Sequence, residues 1–264
     1  MKIAAQGLAI VFTVFLIWFG LSQLDYVSFF KVKQNGQDLE TALGELIWDE
    51  IAKTEDVVLN DSLVKTLDKL INPLCEANGI ERDSLKVHII EKDEINAFAL
   101  PNNHLVVYTG LIADCKNQQA LQGVLGHEIA HIENKHVMKK LSKEIGFSVL
   151  LSATTGGKAG EVLKEIFRTL SSSAYDRSLE KEADITSVDY MIAADIDPKP
   201  LADFMYEMAM DSQMPKEMYW IASHPESEER AQYILEYIKG KKLKNKATIT
   251  EKEWQAFQKL AEQQ

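Results

Sequence analysis

The sequence predicts an α+β domain, mostly helical, with one small sheet near its middle. Apolar residues recur at helical spacing before about residue 80 and again from residue 117 onward, and three short strand-like runs lie between. A further observation, an apolar run at the start, sets an N-terminal membrane helix apart from that domain.

Taken in order, Ile3 to Leu21 is almost wholly apolar, broken only by Gln6, Gly7, Thr13 and Gly20. About 20 apolar residues suffice for a helix to cross a bilayer. Trp18 and Phe19 stand near its far end, where aromatic rings favour the membrane interface. The run closes on Phe19-Gly20-Leu21-Ser22-Gln23, without a small-x-small cleavage pattern. Residues 1–25 therefore read as a retained anchor, with the body outside the cytoplasm, on the periplasmic side. Secretion after signal cleavage is the alternative. Residues 26–36 read as a linker ending in Asn35-Gly36, and 37–264 as the domain.

Within the domain, Leu39, Leu43, Leu46, Ile47 and Ile51 mark a helix from Asp38 to about Thr54. A second helix runs from Asp61, an N-cap, to Asn78-Gly79, with Pro73 as a kink or break. Leu85–Ile90, Ile95–Leu100 and His104–Thr109 read as strands, the last two joined by Pro101-Asn102-Asn103. A long helix is expected from Asn117 to about Ile145. Gly156-Gly157 with Gly160 mark a loop, and Pro198, Pro200 and Pro225 punctuate helix starts. Lys239–Lys246 is a solvated basic stretch before a last helix ending at Gln264.

The chain has 264 residues, 46% of them hydrophobic, enough for a real core. With 29 basic and 40 acidic residues its net charge is −11, which argues against a nucleic-acid footprint. Two cysteines cannot build a disulfide scaffold. Cys75 and Cys115 either pair in an oxidising compartment or are two buried free thiols.

The chemistry begins at Gly126-His127-Glu128-Ile129-Ala130-His131, an H-E-x-x-H pattern. On a helix, positions i and i+4 share a face, so His127 and His131 can present two imidazoles to one zinc ion. Glu128 is rotated along the helix, where it can act as general base on water rather than as a ligand. Glu180 and Asp184 are again four apart. Glu180 would complete a His-His-Glu set, and Asp184 could accept a hydrogen bond from the outer nitrogen of a zinc histidine. Glu182 falls on another face and reads as solvated. His224-Pro225, with Arg230 six residues on, suits the start of a helix. His224 and Arg230 are candidates to stabilise the oxyanion of peptide hydrolysis, or else a cap and a structural ion pair. His88 and His104 lie in strands without ligand spacing and read as structural. His136, five residues beyond His131, leaves the metal face and reads as surface.

These residues resemble the membrane-associated zinc metallopeptidases typified by HtpX and the CAAX prenyl proteases, with related periplasmic and mitochondrial quality-control proteases. The resemblance covers about residues 85–235. It rests on Asn96-Ala97-Phe98-Ala99 with Pro101, Thr109-Gly110-Leu111, the H-E-x-x-H, Glu180-Lys181-Glu182-Ala183-Asp184, and His224-Pro225 with Arg230. It implies a gluzincin-type fold with the sheet beside the H-E-x-x-H helix. It implies one zinc per chain on His127, His131 and Glu180, with Glu128 as the catalytic glutamate. It further implies that Asn96, Ala97, Phe98 and Ala99 form a strand against which an extended substrate pairs. The substrates implied are unfolded or damaged proteins. The family's Ser-Arg pair stands here as Asp176-Arg177, a departure that leaves the metal set intact. A single candidate span points to the single-anchor branch. The rival classes are a protease fold with a shut site serving as chaperone or adaptor, and a narrow-specificity processing protease.

Overall fold

Asn60, not Asp61, opens the second helix. Its side chain accepts from the backbone N–H of Ser62 and Leu63, and Gly79 closes the helix at φ 67°, a left-handed conformation that glycine adopts without strain. This is one element of a computed structural model that describes residues 32–154, 159–172, 175–210, 220, 224 and 227–264. The apolar run Ile3–Leu21, residues 26–31 of the expected linker, Gly156-Gly157 and Pro225 lie outside the described residues. Among the described residues no helix is long and apolar enough to cross a membrane.

The chain divides into two compact units, 1–40 and 41–264, and the site described below lies wholly in the second. Eleven helices occur among the described residues. They are α1 (Val32–Thr54), α2 (Asp61–Asn78), α3 (Thr109–Asp114), α4 (Gln118–Glu133), α5 (His136–Glu144), α6 (Phe147–Thr154), α7 (Ala159–Ser172), α8 (Arg177–Ala193), α9 (Lys199–Met210), α10 (Ser227–Ile238) and α11 (Glu251–Ala261). α1 starts inside the stretch expected as linker. Pro73 lies within α2 without ending it. Gly160 falls inside α7 rather than in a loop.

The strands are β1 (Lys86–Ile90), β2 (Ala97–Leu100) and β3 (His104–Tyr108), in the order β1-β3-β2. β1 runs parallel to β3 in the register Lys86 to His104, and β2 runs antiparallel to it in the register Leu100 to His104. β2 is thus an edge, with its free side toward α4. Asn102 and Asn103 take φ 61° and 62° in the turn, which asparagine tolerates better than other side-chain-bearing residues.

α4 is the axle of the fold. All its residues except Gln119 and Glu133 are buried, so it is enclosed on every side rather than amphipathic. α8, α9, α2 and β2 pack around it. Two glycines let the neighbours approach. A Cβ at Gly126 would stand 2.7 Å from Ser187 Oγ on α8, and one at Gly123 would stand 2.6 Å from Leu201 Cβ on α9. Ser187 Oγ donates to the Gly123 carbonyl at 2.7 Å, tying α8 to α4. At the C-terminus, Thr250 and Glu253 form a capping box that starts α11, which buries Trp254 and Phe257. Cys75 and Cys115 are free and buried.

The expected helix to Ile145 is broken. α4 stops at Glu133, and Lys135 takes φ 55°, a left-handed conformation costly for a residue with a Cβ. The chain turns there and α5 begins at His136 with a new helical phase.

Gly123→Ala tests the α4–α9 contact. Alanine improves intrinsic helix propensity by about 1 kcal/mol over glycine. Here the added methyl meets Leu201 near its backbone, and overpacking of that kind costs about 1–3 kcal/mol. The variant is expected to melt below the wild type in a thermal scan. A higher melting temperature would show that α9 yields freely.

Candidate metal centre

His127 and His131 leave the same face of α4, and their Nε2 atoms lie 2.9 Å apart. α8 crosses α4 at the Gly126–Ser187 contact and delivers Glu180 to the same point. Its carboxylate lies 3.7 Å from His127 Nε2 and 3.4 Å from His131 Nε2. His224 brings Nδ1 within 3.3 Å of His127 Nε2 and 2.9 Å of Glu180 Oε1. One donor atom from each of these four buried residues falls within 4.8 Å of the others. Three imidazole nitrogens and one carboxylate oxygen are a donor set suited to a borderline divalent cation.

The surroundings prepare these groups to act as ligands. Asp184, one turn beyond Glu180, approaches His127 Nδ1 at 2.8 Å and fixes the proton there, which leaves the Nε2 lone pair facing the centre. Burial pushes the His127 pKa down to about 3, with the neighbouring His131 adding to the shift, so the ring is neutral as a ligand must be. Burial alone would raise the Glu180 and Asp184 carboxyl groups. The His224 ring and Arg230 outweigh it at Glu180, and Arg230 with His127 outweighs it at Asp184, so both stay ionised well below the usual range.

Arg230 performs that compensation by direct contact. Its Nε and Nη2 donate to the two Asp184 oxygens at 2.8 and 2.7 Å, and Nη1 reaches Glu180 Oε2 at 2.8 Å and the His224 carbonyl at 2.9 Å. Tyr233 adds a hydroxyl hydrogen bond to Asp184. The guanidinium is fully engaged behind the carboxylates, so the oxyanion role considered from sequence gives way to that of a carboxylate clamp. His224, also expected to face an oxyanion, has Nδ1 among the four donors and Nε2 at 3.4 Å from Glu128 Oε1.

Glu128 stands beside the cluster, outside it. Oε2 accepts the Ala99 N–H at 3.1 Å from the free side of β2, and Oε1 accepts the Trp220 indole N–H at 2.8 Å. Burial pushes its carboxyl up to about 7 against the opposing pull of His131 and the Trp220 indole. A carboxyl with that pKa can both take and give a proton near neutrality. Of the expected substrate strand, Ala97 and Ala99 are buried in β2, Phe98 is half-buried, and Asn96 lies just before it with its carbonyl accepting from Tyr108 N–H.

Three neighbours escaped the sequence reading. Trp220 also donates its backbone N–H to Ile95 O at 2.8 Å, and Tyr175 stacks on His131 at 4.2 Å. Neither sits at a spacing that links it to the motif. His136, read as surface, is fully buried with Nδ1 2.9 Å from His131 Nδ1, because the turn at Lys135 resets the helical phase. Glu182 remains half-exposed, as expected, but faces His136 at 3.4 Å. His88 and His104 pair with each other at 2.9 Å, away from the cluster, and Trp48 stacks on His88.

The metal-free protein is expected to lose stability on acidification from pH 7 to 5. Burial lowers the folded pKa of five histidines, that of His127 to about 3, those of His88 and His136 to about 4, and those of His104 and His224 likewise downward. Unfolded, each takes up a proton near pH 6.5, so its contribution is present above that pH and lost as pH falls. Glu128, raised to about 7, works in the opposite direction, one group against five. Glu180 and Asp184 add their loss only below the ordinary carboxyl range near pH 4. Melting temperatures in chelator across this range check the sign, and a rise toward pH 5 would contradict it.

Comparison with known proteins agrees with this geometry. Residues 61–238 match the model of Peptidase family M48. The chain is similar to "Metalloendopeptidase OMA1, mitochondrial" of Bos taurus, 28% identical over 209 residues that cover 71% of this chain and 39% of that protein. It is also similar to "Metalloprotease LoiP" of Escherichia coli, 28% identical over 191 residues, 70% of this chain and 74% of the relative. "Beta-barrel assembly-enhancing protease" of Yersinia pestis is 24% identical over 208 residues, 71% of this chain and 41% of the relative. The chain thus spans well under half the length of the bovine and Yersinia proteins.

Proposed function

The chain belongs to peptidase family M48, a zinc-dependent family, and on that premise we propose that it is a zinc metalloendopeptidase. The observation that carries the proposal is a buried four-donor cluster directly beside an ionisable glutamate that is hydrogen-bonded to the free edge of a strand. In this reading His127, His131 and Glu180 hold the ion, Asp184 orients His127, and Arg230 keeps both carboxylates charged. Zinc, when bound, supplies a Lewis acid that makes water nucleophilic near neutral pH and polarises a carbonyl. Glu128 takes the proton from the attacking water and passes it to the leaving amine. The β2 edge, Asn96 to Ala99, receives the substrate as an extended strand, so that backbone pairing supplies affinity with little demand on sequence. Ala99 N–H, 3.1 Å from Glu128, sets the paired backbone beside the base.

The substrates in this reading are unfolded or damaged polypeptides, and the role is quality control. Similarity to a protease named for enhancing β-barrel assembly is compatible with that direction. We further propose that residues 1–25 tether the peptidase domain, 37–264, to a membrane with the domain outside the cytoplasm. The apolar run Ile3–Leu21 supports this. Resistance of the full chain to alkaline carbonate extraction is the expected result, and release into the soluble fraction would sink the tether.

One observation favours the rival reading of a shut site. His224 supplies a fourth donor, and four protein ligands close a zinc site whereas three leave a position open. Catalysis on the proposed scheme needs that position free of His224.

Glu128→Gln separates the two. Zinc content is expected to stay at the wild-type level while casein cleavage falls by about 10²–10⁴-fold, the range for loss of a general acid–base. Cleavage at the wild-type rate would remove Glu128 from the mechanism. A wild type that holds zinc and cleaves no polypeptide would favour the shut site.

A further inference from the structure

His136 lies against the outer side of His131. It is fully buried, its Nδ1 is 2.9 Å from His131 Nδ1, and the two rings meet edge to face with centroids 5.0 Å apart. Two ring nitrogens at that distance share one proton. His131 turns Nε2 inward, to 2.9 Å from His127 Nε2. An imidazole that binds a metal through Nε2 carries its own proton on Nδ1. His131 is therefore the donor and His136 the acceptor. A neutral His136 that accepts at Nδ1 must carry its proton on Nε2, and that atom faces Glu182 Oε2 at 3.4 Å. With His136 neutral, the three side chains form a line from His131 through His136 to the half-exposed Glu182, whose oxygen stands within ion-pair distance of Nε2 but outside hydrogen-bond geometry.

His127 offers the comparison. Its outer nitrogen meets Asp184 directly, at 2.8 Å. His131 has a neutral imidazole in the same place, with a carboxylate one step further out. The backbone is shaped to allow this. Lys135 adopts a left-handed conformation at φ 55°, and that turn swings His136 back onto the end of α4. A continuous helix would carry a residue five positions on to a different face.

From this juxtaposition we infer that His136 is a positioning residue: it accepts the Nδ1 proton of His131, fixes that ring's tautomer and orientation, and is itself aligned by Glu182. The inference rests on the proposed zinc reading, in which His131 is a ligand. It assigns the two zinc histidines of α4 different outer partners, a charged one and a neutral one.

The test compares His136→Leu with His136→Asn in the full chain, measuring zinc affinity by competition with a chromophoric chelator. The two substitutes have nearly the same shape, and the asparagine oxygen can stand where Nδ1 stood and accept the proton. Loss of such an outer partner typically weakens metal binding about 10- to 100-fold, the loss expected for leucine, while asparagine should stay within about threefold of wild type. Wild-type affinity in the leucine variant would overturn the inference. Equal loss in both variants would also overturn it, since packing alone would then explain His136. Should the leucine variant fail to fold, Glu182→Ala changes only a half-exposed residue and is expected to weaken zinc about two- to fivefold, a fraction of the usual outer-partner effect. Unchanged affinity there would overturn the chain to Glu182. A wild type with no zinc affinity would instead refute the zinc reading itself, a result separable from these.

Discussion

The site depends on Arg230 and the two carboxylates it holds. Glu180 and Asp184 are buried, and an uncompensated buried charge costs several kcal/mol. Arg230 meets Asp184 with two parallel hydrogen bonds and Glu180 with a single ion pair at 2.8 Å, and is itself buried, so three groups that would each be untenable alone become tolerable together. What the clamp supplies is a fixed negative charge beside the imidazoles of His127, His131 and His224. That is the electrostatic setting a divalent cation needs.

The backbone imposes the second constraint. Two i, i+4 pairs on different helices converge only if the helices approach closely, and α4 and α8 do so where Gly126 faces Ser187. β2 then brings a backbone N–H to Glu128 from the opposite side. The base is therefore held between the metal donors and the sheet edge. The same crowding that removes water from Glu128 raises its pKa into the range where proton transfer at neutral pH is effective.

Much of this was legible in the sequence because it is periodic. The helix–sheet–helix order, the shared face of His127 and His131, and the pairing of Glu180 with Asp184 all follow from spacing. What spacing does not carry is the place where periodicity stops. Lys135 is not a glycine, so nothing in the sequence marks a left-handed turn there, and an unbroken helical period puts His136 at the surface, whereas the turn buries it. Arg230 was legible as a participant, but not in its direction. Whether a guanidinium faces substrate or carboxylate depends on how α10 meets α8, which no local pattern encodes. Trp220 and Tyr175 are large aromatics outside any motif. Only the fold brings them to Glu128 and His131.

The central claim is that His127, His131 and Glu180 together hold one zinc. Elemental analysis of the purified full chain, beside Glu180→Ala and after dialysis against zinc-free buffer, tests it directly. The account predicts one zinc per chain in the wild type and a clear loss in the variant. A wild type without zinc, or a variant that retains it at the wild-type level through the same dialysis, would contradict it.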